Sequence, residues 1–235
     1  MAEKKTKTIT RVEASTEAKH VEASKSDVGF RIGGIACWLV AIAAEVIAIL
    51  IAVGKINWTF ASTLVQLIIF IVVDLVFLII GSQLWKRANH INPASEKNKA
   101  AFFIQNNLGS FMSILCFLPL VIFILTSKNE KMDKKTKVFA VIAAVVALLI
   151  GGVASYDFNP VSSEQLQAAT QAIDQDVYWT RFGKVYHLDQ DCQALNKSDS
   201  LSVGKVDAAI EYSKTRLCKF CAKKYNIENV VTDGE

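Results

Sequence analysis

Four long apolar blocks, separated by short polar connectors, constrain this chain more than any other feature. They read GFRIGGIACWLVAIAAEVIAILIAV (29–53), STLVQLIIFIVVDLVFLIIGSQLW (62–85), LGSFMSILCFLPLVIFILTS (108–127) and VFAVIAAVVALLIGGVAS (138–155). At 1.5 Å of rise per residue, about 20 apolar residues make a helix as long as a bilayer's hydrocarbon core is thick. A soluble fold would have to wrap all four blocks in polar sequence. The chain has 235 residues, of which 52% are hydrophobic and only 20% charged, so the blocks read as membrane spans. The first does not read as a cleaved signal sequence. It follows a long mixed-charge tail, exceeds the ~7–15 apolar residues of a signal, and has no A-x-A-like site after it. The net charge of +4 points to no particular partner.

Residues 1–28 are polar and free of aromatics, with six Lys/Arg against five acids, and VEAS occurs twice, at Val12–Ser15 and Val21–Ser24. So little apolar surface does not offset the entropy of ordering, so this tail is expected to be disordered or fleetingly helical. A basic arm for the membrane surface is the weaker reading, because the charges nearly cancel. Residues 29–155 form the four-helix part. Within it, Trp58 and Phe60 suit a lipid–water interface. Asn92 followed by Pro93 reads as the N-cap and first residue of a short surface helix leading into the third span. Pro119 should kink that span locally. The connector KNEKMDKKTK (128–137) is strongly basic. In 156–176, Ser162 with Gln165 forms a capping box, and Val161, Leu166, Ala169 and Ile173 recur at helical spacing, so a short amphipathic linker helix is expected. Residues 177–228 alternate short strands and helices. VYWT and VYH read as a hairpin, 206–214 as a helix and 218–225 as another, before a tail at 229–235.

Lys and Arg set an expected orientation. The N-terminal tail with Arg31 carries seven and the second connector four, against one and five in the first and third connectors. The positive-inside rule then places both termini in the cytoplasm of a multi-pass cell-membrane protein. The five lysines of the third connector and the lack of Lys or Arg from 156 to 180 pull the other way. If the third block failed to cross, the C-terminal region would lie outside. Its nearly uncharged length argues that it crosses.

The chemistry-bearing pattern is His187-x4-Cys192-x25-Cys218-x2-Cys221. One imidazole and three thiols in two close pairs match the ligand set of tetrahedral Zn²⁺. A region of about fifty residues has a marginal core, and a metal staple is a common remedy. Structural zinc contributes ~10–16 kcal/mol in small peptides, enough to decide folding. Four protein ligands leave no position for a catalytic water, which favours a structural role. The rival readings are weaker. A redox CxxC opens a helix in a larger βαβ fold, and a disulfide would strand the third cysteine. Zinc is the ion preferred on ligand softness. Asp189 and Asp191 lie near enough to replace His187 as the fourth ligand. The expected fold class is membrane all-α (four transmembrane helices) with a small C-terminal α+β zinc-binding domain. One structural zinc ion would sit on His187, Cys192, Cys218 and Cys221.

The run V-Y-W-T-R-F-G-K-V-Y-H-L-D-Q-D-C followed by C-K-F-C resembles the Ada-like metal-binding domain of many bacterial proteins. Its common form runs strand, turn, G-K-x-Y-H, a cysteine, a helix and a terminal CxxC, and the resemblance covers about fifty residues. It implies the ligand role for His187, Cys192, Cys218 and Cys221. Four residues separate His187 from Cys192, where three are more usual. In the DNA-repair namesake the first of four cysteines accepts a methyl group. Histidine holds that position here, so methyl transfer is not implied. The membrane part, with D-L-V-F-L-I-I-G-S-Q-L-W-K-R-A-N and N-P-A-S, is similar to multi-pass proteins of Gram-positive bacteria, which implies architecture and no activity.

Two acids, Glu45 and Asp74, fall near the middle of the first and second spans with no Lys or Arg at that depth. An intramembrane carboxyl costs ~2.5–3.5 kcal/mol on insertion scales and is turned inward. The pair is expected to be protonated, or hydrogen-bonded to Ser110, Ser113 or Gln66. It serves either as a polar contact within the bundle or, as an alternative function, as the relay of a small transporter or channel-like module. Trp85, Lys86, Arg87 and His90 read as an interfacial belt. The basic stretch KTRLCKFCAKK (214–224) offers a further alternative, a membrane-tethered nucleic-acid-binding module, or contact with anionic lipid headgroups. The leading expectation is a non-enzymatic protein in contact with the lipid bilayer that displays its zinc-binding domain to a protein partner or a regulatory signal.

Overall fold

The structure, a computed structural model, describes residues 7–12, 19–130, 132–227 and 230. It divides into two compact units. One comprises Phe30–Lys86 and Asn106–Asp157. The other comprises the described residues of Met1–Gly29, Arg87–Gln105 and Phe158–Glu235.

The first unit is helical. It is built from α1 (Lys19–Ala52), α2 (Thr63–Ile91), α4 (Leu108–Thr126) and α5 (Lys134–Ser155), with α1 and α2 continuing into the other unit. All four are long and apolar enough to cross a membrane. Their core mixes small side chains with larger ones: Ala41 and Ala48 from α1, Leu67, Ile71 and Leu78 from α2, Cys116, Phe117 and Leu120 from α4, Ala140, Ala144 and Ala147 from α5. Many other bulky apolar side chains point the other way. Ile32, Leu39, Val72, Val76, Leu118, Ile122, Leu125, Leu149 and Val153 are all exposed.

Small residues let the backbones approach. A Cβ at Gly81 would stand 2.8 Å from the Gly34 carbonyl oxygen and 2.7 Å from Trp38. Close helix approach of this kind strengthens dispersion contacts between helices. Hydroxyls add to it: Ser110 Oγ donates to the Gly152 carbonyl at 3.0 Å, and Ser113 Oγ to that of Leu148 at 2.9 Å. Pro119 lies inside α4, and Asp133 caps α5 by accepting the Thr136 N–H.

The second unit is a small α+β assembly. A three-stranded sheet runs in the order β1 (Thr8–Arg11), β4 (Ser200–Gly204), β2 (Val177–Trp179). A two-stranded parallel pair joins β3 (Val185–Tyr186) to β5 (Arg216–Leu217). Helices α6 (Ser163–Ala172), α7 (Val206–Glu211) and α8 (Lys219–Tyr225) cover them, with α3 (Lys99–Asn106) in the stretch after α2. Its core is inward and large, centred on Trp179, Tyr186, Leu195, Leu201, Ile210 and Leu217. The capping box of α6 forms as its sequence predicts, and Val161, Ala169 and Ile173 enter the core with Leu166 packed against it.

Three expectations are corrected. Residues 8–11 lie in the tail expected to be disordered, yet they form β1. The strand runs parallel to β4, with Thr8 opposite Ser200 and Arg11 opposite Val203. A backbone edge supplied the partner that side-chain hydrophobicity lacked, and Gly204 makes room, since a Cβ there would meet the Val12 carbonyl oxygen at 2.1 Å. Helix α1 likewise begins at Lys19, inside that same tail. Asn92 and Pro93 do not open a helix. They follow the end of α2 at Ile91, and Asn98 caps α3 by accepting the Ala101 N–H at 3.1 Å. Finally, the VYWT and VYH segments meet only at the Tyr178–His187 bridge, and β3 takes β5 as its ladder partner. Residues 1–6, 13–18, 228–229 and 231–235, which include parts of both expected tails, lie outside the described residues.

Candidate metal centre

Backbone pairing brings the two halves of the pattern together. The parallel register places Tyr186 opposite Leu217, so His187 and Cys218 are the next residues along neighbouring strands. The Cys218 N–H donates to the Tyr186 carbonyl at 2.9 Å. On its other side His187 exchanges two backbone hydrogen bonds of 2.7 Å with Tyr178. Its backbone is therefore held by Tyr178, while the preceding Tyr186 is tied to Cys218. Cys218 is the N-cap of α8 and Cys221 lies in the first turn, a spacing of three that puts both thiols on one side of the helix.

Cys192 arrives by a tight turn. Asp189 Oδ1 accepts the Asp191 N–H at 2.8 Å, and the Asp189 carbonyl accepts that of Cys192 at 3.1 Å. This turn absorbs the four residues between His187 and Cys192. Cys192 then starts the 3₁₀ turn Gln193–Leu195.

The result is a buried group of four potential ligands. His187, Cys192, Cys218 and Cys221 each offer one atom, and all these atoms lie within 4.8 Å of one another. His187 Nδ1 stands 4.0 Å from Cys221 Sγ. Bond lengths at tetrahedral zinc imply ligand separations of about 3.6–3.8 Å, so the donor set needs only a small contraction. Burial, reinforced by the neighbouring Cys192 and Cys218 thiols, pushes the Cys221 thiol up to about 12, while a hydrogen bond from the Leu188 backbone opposes this. Within this group of thiols, Cys221 has little reason to ionise by itself. A divalent cation at their centre reverses that preference, because a coordinating thiol is deprotonated by the ion's own charge. Burial also raises the Tyr186 phenol above its ordinary range.

The two acids that compete for the fourth position are engaged elsewhere. Asp189 Oδ2 forms an ion pair with Lys224 while its Oδ1 holds the turn, and neither Asp189 nor Asp191 joins the four-residue group. A half-open cleft of about 250 Å³ lies beside the centre, lined by Asp189, Asp191, Cys192, Gln193, Phe220, Cys221 and Lys224.

The basic stretch 214–224 does not form one face. Lys214 is buried, donating to the carbonyls of Arg181 at 3.1 Å and Gly183 at 2.6 Å, and burial lowers its pKa. Lys224 is tied to Asp189. Of the belt residues, Arg87 reaches Glu211 at 3.2 Å and His90 Nδ1 meets Ser213 Oγ at 3.1 Å, contacts that sequence reasoning did not foresee.

In the helical unit Glu45 and Asp74 both turn inward, 5% and 0% exposed. The partners expected for them are taken. Ser110 and Ser113 bond carbonyls of α5, and Gln66 Nε2 donates to the carbonyls of Trp58 and Ala61 at 2.8 and 2.7 Å. The group beside Asp74 is instead the thiol of Cys116, on α4, which sequence reasoning missed. Its position near the middle of the third apolar block was the available signal. Comparison of the chain with protein-family models, with curated proteins and with solved structures gives no match.

Proposed function

We propose that this chain is a multi-pass integral membrane protein that displays a small domain stapled by one structural zinc ion. Its role is interaction or regulation rather than catalysis. The observation that carries the reading is the gathering of His187, Cys192, Cys218 and Cys221 from separated stretches into one buried group. Three sulfurs and one nitrogen suit zinc and complete its tetrahedron, which leaves no protein-free position for a reacting water. The membrane half of the proposal is supported by four apolar helices whose large side chains face outward. In water such a surface would be an association hazard, and in lipid it is the solvated face.

The order of elements supports the Ada-like resemblance as well. Strand, turn, strand, His187, Cys192, α7, then Cys218 and α8 follow the sequence that the resemblance implies. Pairing of β1 with β4 supports an even number of crossings, since it requires both ends of the chain on one face of the bilayer. The Lys/Arg bias makes that face the cytoplasmic one. A protein partner would find Phe182, 90% exposed after β2, as a contact residue on the domain.

Metal analysis of the full-length protein purified from membranes tests the proposal. One zinc ion per chain is expected. A folded, metal-free protein, or a stoichiometry unchanged by Cys218→Ser and Cys221→Ser together, would overturn it.

A further inference from the structure

Glu45 and Asp74 stand apart from the metal centre and lie in the other unit. Both are more than nine-tenths buried, and neither oxygen of Asp74 nor Oε1 of Glu45 meets a hydrogen-bond partner. The two carboxyls lie close enough to interact electrostatically. The groups facing them can be named helix by helix. Helix α1 brings Glu45, α2 brings Asp74, and α4 brings the Cys116 thiol, which is fully buried. Helix α5 contributes Ala140, Ala144 and Ala147 to the core of this unit, none of them titratable. Among the described residues neither acid has an ion-pair partner, and the core of Ala41, Ala48, Leu67, Ile71, Phe117 and Leu120 is apolar.

Two bare carboxylates buried in one such core would be prohibitively costly, so their charge must be neutralised. A metal ion would need a shell of ligand atoms. Among the described residues, the one group of three or more ligand-type side chains lies at His187, not here. A proton needs no shell, only an oxygen to sit on. We infer that Glu45 and Asp74 form a proton-binding pair inside the helical bundle, each carboxyl carrying a proton in the packing seen here. Protonation turns each acid into a neutral group, which removes the cost of burying a bare charge. The inference is independent of the zinc reading, and the two can fail separately.

Infrared spectroscopy of the full-length, metal-containing protein in phosphatidylcholine vesicles tests it. At about pH 7, acids in water, with pKa values of about 4, have lost their protonated-carboxyl C=O band. The pair is expected to keep that band, with Asp74→Asn removing one component and Glu45→Gln the other. Absence of the band, or a band untouched by the double substitution, overturns the inference. Zinc content and elution volume, read on the same samples, report whether each variant is assembled. Should a variant fail that check, a pH titration of the wild-type protein decides the question. The band must outlast that of the surface acids as pH rises, and its loss in step with theirs overturns the inference.

Discussion

The two units solve opposite packing problems with the same twenty side chains. The α+β unit hides its largest apolar residues, Trp179, Tyr186 and Ile210 among them, and gathers its thiols at the centre. The helical unit hides alanines, glycines and a few polar groups beside Leu67, Leu78, Phe117 and Leu120, and turns many more leucines, isoleucines and valines outward. The difference teaches what each expects as solvent. Burial of apolar area drives the first, at about 25 cal/mol per Å² removed from water. In the proposed lipid setting the surrounding tails are as apolar as leucine, so the second would depend on close approach and on hydroxyl-to-carbonyl bonds such as those of Ser110 and Ser113.

Removing the metal should separate the units most sharply. Chelation of the purified protein is expected to strip hydrogen-exchange protection from β4, α7 and α8 while leaving α4 and α5 protected. The energy at stake is on the scale of structural zinc, ~10–16 kcal/mol. Equal loss in both units, or in neither, would break the comparison. Next in size, Cys221→Ser should weaken metal binding on the order of 100-fold or more, since even outer partners of a metal site are worth ~10–100-fold. Asp189→Ala, by contrast, should cost less than about tenfold. It removes a partly exposed ion pair with Lys224, worth ~0–1 kcal/mol, and one turn hydrogen bond from the Asp191 N–H, but no candidate ligand. A competition titration against a chromophoric chelator reads both.

A pair of glycine substitutions sharpens the comparison further. Gly204→Val drives a side chain into the Val12 carbonyl, and Gly81→Val drives one into Trp38 and the Gly34 backbone. Each should cost ~1–3 kcal/mol. The first should free the amides of Thr8–Arg11 for exchange without disturbing α1, and the second should loosen α1 from α2 without touching the sheet. The smallest effect is a pH dependence. Ser95 donates to Glu164, and this with nearby N–H groups holds the Glu164 carboxyl at about 2, below its ordinary 4.5. A depressed carboxyl stabilises the fold above its ordinary value and loses that contribution as pH falls from about 4.5 to about 2. Glu164→Gln should therefore flatten acid destabilisation in that window, measured by thermal melting at stepped pH.

Much of this was legible in the residues alone because it rests on local rules. Helix length follows from a run of apolar residues, and a capping box from Ser162 and Gln165 three apart. The candidate ligand cluster follows from a CxxC and a His–Cys pair. What stayed hidden depends on partners distant in sequence. β1 is a four-residue exposed strand whose only recommendation is the free edge of β4. Asp74 finds Cys116 across two helices. Asn92–Pro93 carries the signature of a helix start, but α2 persisted through Lys86, Arg87 and His90 until Pro93 stopped it. Those polar residues have partners in their own unit, Arg87 at Glu211 and His90 at Ser213, that reward the extra turns.

The pairing of Thr8 with Ser200 has a temporal side. Strand β1 waits for a neighbour made only after the four long apolar helices of the described residues have been synthesised. Such remote pairings close slowly. The sheet is thus completed only once the hydrophobic stretches have been dealt with, and a chain stalled before residue 200 would expose an unmatched edge to quality control.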